Sequence, residues 1–287
     1  VAVSAGASHN LALDAKGRAW AWGYGGWGAL GGGSERSRAW GHHPSRVDLP
    51  RERVAAVAAG GGHSVFLTVD GGVFTCGRGF DGRLGHGSRE SERTPRRVRS
   101  LARRAVAVAA GYDHTLAVTE DGALYAWGGN AFGQLGLAGE EERAVYEPKR
   151  VEGVQNAERV SAGFYLSCLL LKDGQCLTFG RGTEGALGHG GLIHEPRPRL
   201  LLGRGQSALR VAAAVTNGAS NVDSDEGSEW ASTVVVDRDS GRLLSVGGGG
   251  EELFLGRGGE DGAGAEPPQQ RWILAPVEGL VCVVNPA

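Results

Sequence analysis

Three histidines recur at equivalent places along the chain and are the first candidates for metal binding or proton transfer. His9, His63 and His114 each lie three residues after a glycine and begin a short apolar run. Imidazole nitrogens are common zinc ligands and transfer protons near neutral pH. These histidines are 54 and 51 residues apart, however, and Leu166 takes the equivalent place in a fourth segment. We interpret them as hydrogen-bonded structural residues, and we predict no catalytic residue, no metal and no cofactor.

Arginine is the other side chain whose spacing could do chemistry, because a guanidinium binds carboxylates and phosphates through paired hydrogen bonds. One segment of twelve residues holds six arginines: Arg93, Arg96, Arg97, Arg99, Arg103 and Arg104. A second series comes once per repeat, just before an apolar residue of a linker: Arg46, Arg97, Arg150 and Arg199. Both series are candidate partner-binding residues.

The alternation of side chains along a strand predicts that the second series forms a basic arc on the rim of the fold. Its arginines would face away from the apolar residues that follow them, Val47, Val98, Val151 and Leu200. Two interpretations stay open. A charged outer edge discourages strand pairing between molecules, whereas a docking surface would bind an acidic protein or RNA phosphates.

The segments that carry these residues are copies of one unit. The copy from Val106 to Gly136 contains a short β run, a hairpin with an Asp-Gly turn, and a glycine-rich loop that ends in Leu-Gly. The glycine after the first run recurs at Gly6, Gly60, Gly111 and Gly163, in steps of 54, 51 and 52 residues. A proline-containing linker with another β run follows each copy, so each repeat supplies about four strands, the content of one propeller blade.

A fifth, degenerate copy begins at Val211 and contains an insert, Thr216 to Glu229. The insert is polar, and we expect it to be an exposed loop whose acids Asp223, Asp225 and Glu226 bind a partner. We predict one all-β domain over 1–287, a β-propeller of four-stranded blades with about five blades visible. The repeat units are 3–56, 57–107, 108–159, 160–210 and 211–280, and residues 281–287 start a further strand.

Composition narrows the classes of function. Glycine makes up 51 of the 287 residues, which fits many tight turns. The net charge of −2 gives no overall attraction to nucleic acid, and no apolar run approaches the length of a membrane span. Four cysteines without metal-site spacing indicate free thiols in a reducing compartment. We therefore expect an intracellular protein, cytoplasmic or organellar, the mitochondrion included. The chain starts with Val and contains no Met, which we interpret as a processed or partial chain.

The motif Ala-Gly-x-x-His-x-Leu-x-Leu, followed by Asp-Gly and then Trp-Gly-x-Asn-x-x-Gly-Gln-Leu-Gly, resembles the regulator of chromosome condensation repeat. The third copy matches it at Ala110, Gly111, His114, Leu116, Asp121, Gly122, Trp127, Gly128, Asn130, Gly133, Gln134, Leu135 and Gly136, with Val118 at a leucine place. Over all copies, the resemblance covers almost the whole chain. It implies a ring of seven four-stranded blades, of which about five are visible here; we expect the others in flanking sequence, and a smaller or open ring is the alternative. The resemblance also implies guanine-nucleotide exchange on a small GTPase, the activity of the founding member.

The chain offers a complete structural repeat but no catalytic motif. We predict a non-enzymatic protein-interaction scaffold, a propeller subunit of a larger intracellular assembly. The first alternative is a guanine-nucleotide exchange factor or regulator of a small GTPase, and the second is an RNA- or chromatin-associated binding protein. The expected partners are accordingly proteins of a complex, a small GTPase, or RNA on the arginine-rich rim. The tryptophans beside the second hairpin strand, Trp27 and Trp127 among them, are interpreted as mainly packing between blades.

Overall fold

Five four-stranded antiparallel sheets form the described part of the protein. The computed structural model describes residues 2–33, 40–49, 52–138, 142–183, 185–201, 211–220, 229–237, 243–248 and 275–276. Each sheet takes its four strands in chain order and is one blade, so the predicted all-β propeller with about five visible blades is confirmed. The described residues contain no helix long and apolar enough to cross a membrane.

The strand bounds repeat from blade to blade. The first blade contains β1 (Ala2–Ala5), β2 (His9–Leu13), β3 (Ala19–Tyr24) and β4 (Trp40–Arg46). The second contains β5 (Val54–Ala59), β6 (His63–Thr68), β7 (Val73–Gly77) and β8 (Glu92–Arg97). The third contains β9 (Ala105–Ala110), β10 (His114–Thr119), β11 (Leu124–Gly129) and β12 (Ala144–Arg150). The fourth contains β13 (Ala157–Ala162), β14 (Leu166–Leu171), β15 (Cys176–Gly180) and β16 (Glu195–Leu200). The fifth contains β17 (Val211–Ser220), β18 (Glu229–Asp237), β19 (Leu243–Gly248) and β20 (Ala275–Pro276).

The strand that opens each of the second, third and fourth blades starts three residues before the unit boundaries drawn at 57, 108 and 160. The glycine markers used for those boundaries lie at the strand ends, and the apolar runs begin earlier than the repeated motif. The predicted strand at 281–287 lies outside the described residues.

The first strands of consecutive blades contact one another, so β1, β5, β9, β13 and β17 lie closest to the propeller axis. The second strands are the most buried, and their apolar side chains form a core shared between blades. In the third blade, Leu116, Val118, Leu124 and Trp127 have essentially no exposed surface. Burial of this apolar surface is the main force that holds blade against blade.

The two faces of the propeller are built from different connections. On one face lie the loops between first and second strands and those between third and fourth strands; we call it the loop face. There, Tyr24 N donates to Ser8 O at 2.8 Å, and Arg78 N donates to Gly62 O at 2.9 Å. On the opposite face, the hairpin face, lie the Asp-Gly turns and the connections to the next blade.

The insert in the fifth blade is not simply a loop, so that expectation is wrong for part of its length. Thr216–Ser220 continues β17, and Glu229 begins β18; the two strands pair from Val211 opposite Asp237 to Ser220 opposite Glu229. Polar residues pair as well as apolar ones here, because the strand pairing uses backbone groups, and the opposite strand contributes the β-forming residues Trp230 and Thr233. Asp223, Asp225 and Glu226 lie outside the described residues.

A candidate protein-interaction face

The recurring histidines connect each blade to the next through a hydroxyl group. His9 Nε2 lies 2.9 Å from Ser64 Oγ, and that hydroxyl donates to Ala29 O at 2.6 Å. Because the single hydroxyl proton goes to the carbonyl, the oxygen must accept from a protonated Nε2. The same chain of contacts links His63 to Thr115 at 2.9 Å, and His114 to Ser167 at 3.0 Å.

Burial favours the neutral form of His9 and His63. It lowers the pKa of His9 to about 4 and the pKa of His63 well below its ordinary value. In the fourth blade Leu166 replaces the histidine, yet Thr233 Oγ1 still donates to Ala186 O at 2.8 Å. Among the described residues, no three His, Cys, Asp or Glu side chains gather into a metal site. The three histidines are therefore structural links between blades.

Two further histidines have a repeated structural role that their sequence context did not suggest. His86 Nε2 lies 3.0 Å from Thr75 Oγ1, and His189 Nε2 lies 3.0 Å from Thr178 Oγ1. Burial lowers the pKa of each to about 4. These contacts brace the Leu-Gly loop against the third strand of the same blade.

The basic arc is shorter than predicted, because Arg199 does not belong to it. Arg46, Arg97 and Arg150 end their strands opposite the aromatic residues Trp20, Phe74 and Tyr125. In the fourth blade Leu200 takes that place opposite Leu177, while Arg199 lies opposite Thr178. The buried residue that follows is Leu201, not Leu200. A shift of one residue along a strand moves a side chain to the other face, and the repeated prolines and leucines of this linker concealed the shift.

The six arginines between Arg93 and Arg104 do not form one patch. Arg93 lies on the loop face, where its carbonyl accepts from Gly33 N at 3.1 Å. Arg96 is held by Glu92 at 2.6 Å, and an exposed ion pair of this kind leaves little charge for a partner. Arg104 lies on the hairpin face, where its carbonyl accepts from Glu120 N at 2.9 Å. Arg97 ends β8, and the exposed Arg99 and Arg103 follow it toward the hairpin face.

Arg150 borders a cleft of about 930 Å³ between the third and fourth blades. Leu137, Gln175, Arg197 and Pro198 also line it. The lining of the cleft contains more basic than acidic side chains. Arg150, one of the predicted partner-binding arginines, is therefore exposed at the edge of a basic cleft.

The loop face carries a ladder of alternating aromatic and arginine side chains that spans three blades. Arg78 Cζ lies 5.0 Å from the ring centre of Trp27 and 5.1 Å from that of Phe80. Arg89 Cζ lies 5.9 Å from the ring centre of Phe80 and 5.5 Å from that of Tyr146. Arg89 Nε also donates to Tyr146 Oη at 2.8 Å. We call these five residues the ladder.

Glycines let the loops that carry the ladder pack closely against neighbouring blades. Gly28 and Gly82 have φ values of +95° and +74°, which side chains rarely adopt. A Cβ on Gly28 would lie 2.4 Å from the backbone of Arg93, and a Cβ on Gly82 would lie 2.7 Å from the Cα of Tyr146. The loop of each blade thus rests directly on the outer strand of the next, which brings residues of separate blades together.

The ladder is accessible although its supports are buried. Trp27 and Phe80 are each 49% exposed. The prediction that the tryptophans mainly pack between blades is confirmed for Trp127, which is fully buried, and is wrong for Trp27. Below them, the buried Arg83 donates to Phe80 O at 2.8 Å and to Tyr112 O at 2.9 Å. Such bonds fix the loop that presents Phe80, so the exposed rings stand on a rigid base.

A second cation–aromatic group continues the loop face onto the fourth blade. Arg181 Cζ lies 5.3 Å from the ring centre of Phe132, whose ring lies 4.8 Å from that of Tyr165. Tyr112 and Phe164 stack with ring centres 4.0 Å apart. The loop face therefore combines aromatic and guanidinium groups over several blades.

The chain matches known proteins over most of its length. A family model described as RCC1-like domain matches residues 1–279. The human E3 ubiquitin-protein ligase HERC2 is 35% identical over 243 residues, which are 81% of this chain and 5% of that protein. The Ultraviolet-B receptor UVR8 of Arabidopsis thaliana is 32% identical over 234 residues, 80% of this chain and 51% of that protein. The chain thus spans at most about half the length of these relatives.

A solved structure of Prp20p from Saccharomyces cerevisiae, described with its binding properties to Gsp1p and histones, superposes with a TM-score of 0.71. The match covers 97% of this chain and 65% of Prp20p at 21% identity, which supports the fold alone. The family model and the repeated blades agree with the resemblance carried by the sequence motifs. The chain belongs to the RCC1-like domain family.

Proposed function

We propose that this propeller is a non-enzymatic protein-interaction domain whose ladder docks an acidic segment of a partner protein. The observation that carries the proposal is the ladder itself, two guanidinium groups held between aromatic rings of which Trp27 and Phe80 are exposed. Trp, Tyr and Arg are the residues that most often dominate the energy of protein interfaces. Rings held rigidly in advance lose little conformational entropy when a partner binds.

Charge supports an acidic partner. Within the described residues, neither Arg78 nor Arg89 forms an ion pair with a carboxylate. Their guanidinium groups are oriented by the rings of Trp27, Phe80 and Tyr146, and that of Arg89 also by its bond to Tyr146 Oη. A carboxylate can therefore bind each group through the N–H donors that remain. By contrast, Arg96 and Arg199 already hold Glu92 and Glu195.

Selection of peptides from a random display library against the purified propeller tests this proposal. We expect the selected peptides to be enriched in Asp and Glu. Arg78→Ala combined with Arg89→Ala should weaken their binding about 10-fold or more, since an arginine that is a hot spot of an interface contributes over about 1 kcal/mol. Arg46→Ala combined with Arg150→Ala removes the same charge elsewhere and is the matched control. Peptides without acidic enrichment, or equal losses in both double variants, would overturn the proposal.

A second candidate function is regulation of a small GTPase, favoured by the long hairpin of the fifth blade. β17 and β18 have 10 and 9 residues, whereas the first two strands of the other blades have 4 to 6. The hairpin therefore extends beyond the blade, and an extended hairpin can reach a partner that the blades do not touch. Prp20p, which shares this fold, is described as binding Gsp1p.

Nucleotide release from a panel of small GTPases tests the second candidate. A shortened variant replaces residues 218–231 with Asn-Gly, a turn that closes the hairpin at the pair Asn217 and Ser232. Acceleration by the natural chain and its loss in the shortened variant would support exchange activity. If the natural chain leaves the rate of nucleotide release unchanged for every GTPase tested, this second candidate function is excluded.

A further inference from the structure

The fourth blade places two cysteine thiols in contact inside its core. Cys168 on β14 and Cys176 on β15 have their Sγ atoms 3.1 Å apart, and both side chains are buried. In the antiparallel register Cys168 lies opposite Thr178, and Cys176 lies opposite Leu170. The two cysteines are therefore diagonal neighbours on one face of the sheet.

The other blades show that packing does not require cysteine at these places. The equivalent diagonal pairs are Leu11 with Ala19, Val65 with Val73, and Leu116 with Leu124. All six of these side chains are apolar and buried. A single buried cysteine often serves as a small apolar residue, but here both members of one pair are cysteine in the same blade.

We propose that Cys168 and Cys176 form a disulfide by exchange with a low-molecular-weight disulfide such as oxidised glutathione. The thiolate of one cysteine attacks a sulfur of the oxidant, which gives a mixed disulfide and releases one molecule of thiol. The thiolate of the second cysteine then attacks the protein sulfur of that mixed disulfide and releases the second molecule. One protein S–S bond replaces two S–H bonds, the two protons go to the released thiols, and the oxidant gains two electrons.

The geometry is close to what the bond needs. A disulfide has an S–S length of about 2 Å, so the two sulfurs must approach by about 1 Å. Diagonal neighbours on adjacent strands have Cα atoms about 7–8 Å apart, slightly beyond the usual range for a disulfide, so the backbones of β14 and β15 must also shift for the bond to close. Cys76 has no cysteine neighbour among the described residues; its Sγ lies 3.8 Å from Ala29 O.

Burial governs when the exchange takes place. The contact with Cys176 and the loss of solvent together raise the pKa of the Cys168 thiol well above its ordinary value. Since the thiolate is the attacking form, the fully closed blade protects the pair. We expect closure of the disulfide when the β14–β15 hairpin opens transiently, or during folding before the blade is packed.

To test this proposal, the purified protein is treated with oxidised glutathione in mild urea and is then alkylated in strong denaturant. Its mass gives the number of alkylated cysteines. The chain has four cysteines, so we expect four adducts on the reduced protein and two after oxidation. Trypsin cleaves after Lys172, between the two cysteines, so a linked pair of peptides identifies the bond. Closure only when the oxidant is present during refolding also supports the site.

Variants separate this pair from the other thiols. Cys76→Ser should keep the linked peptides, whereas Cys168→Ser and Cys176→Ser should each abolish them. Four adducts after both treatments, or linked peptides that involve Cys76 or Cys282 in equal yield, would overturn the proposal.

Discussion

Protonation of His9 offers a quantitative prediction about the links between blades. The pKa of His9 is about 4 in the folded protein and 6.5 when the group is unperturbed. As the pH falls the unfolded chain therefore binds the proton first, so the stability contributed by neutral His9 is complete above pH 6.5 and declines through the window down to about pH 4. The difference corresponds to about 3 kcal/mol, of which about 2 kcal/mol is lost by pH 5.

Urea unfolding at about pH 7.5 and about pH 5 measures this loss. His9→Leu should reduce the difference in unfolding free energy between the two pH values by about 2 kcal/mol relative to the natural chain. Leucine fits this place, since Leu166 occupies it in the fourth blade. His42→Leu, at an exposed residue of β4, is the control and should leave the difference unchanged. If His9→Leu keeps the full pH dependence, His9 is not buried as a neutral link.

Two further predictions concern packing. Gly82→Ala should cost about 1–3 kcal/mol of unfolding free energy, because it adds a clash with Tyr146 to an unfavourable φ of +74°. Gly153→Ala, at a φ of +78° with nothing within 4 Å, should cost less in the same denaturation measurement, and equal costs would refute the contact. Leu200→Arg should change stability by under about 0.5 kcal/mol, because arginine takes this place in three other blades. Leu201→Arg should cost more than about 3 kcal/mol, because it puts a charge into a fully buried site; the reverse order of the two effects would refute the register.

The fold could be predicted from the sequence because the repeat depends on residues that no other amino acid replaces easily. Each third strand of the first four blades has a glycine as its last or second-to-last residue, with φ between +105° and +107°: Gly23, Gly77, Gly128 and Gly180. A side chain in that conformation is strained in every blade. The spacing of these glycines therefore follows the spacing of the third strands. The blades with clear copies of the repeat were predicted at the correct residues.

The candidate site could not be predicted in the same way, because it is assembled from three blades. Trp27, Arg78 and Tyr146 are far apart in the chain, and their contacts arise only when Gly28 and Gly82 rest on the next blade. The sequence does show the arginines, but not which of them already hold a carboxylate. The period of two along a strand also makes a one-residue misalignment sufficient to misplace Arg199.

Amide hydrogen exchange of the propeller, with and without a selected acidic peptide, tests the central claim most directly. We predict slower exchange in the loop-face segments that carry the ladder, around 24–28, 78–90 and 145–147. Exchange in the hairpin-face segments 69–72 and 98–104 should stay unchanged. Protection confined to the hairpin face, with none along the ladder, would contradict the claim that the loop face binds the partner.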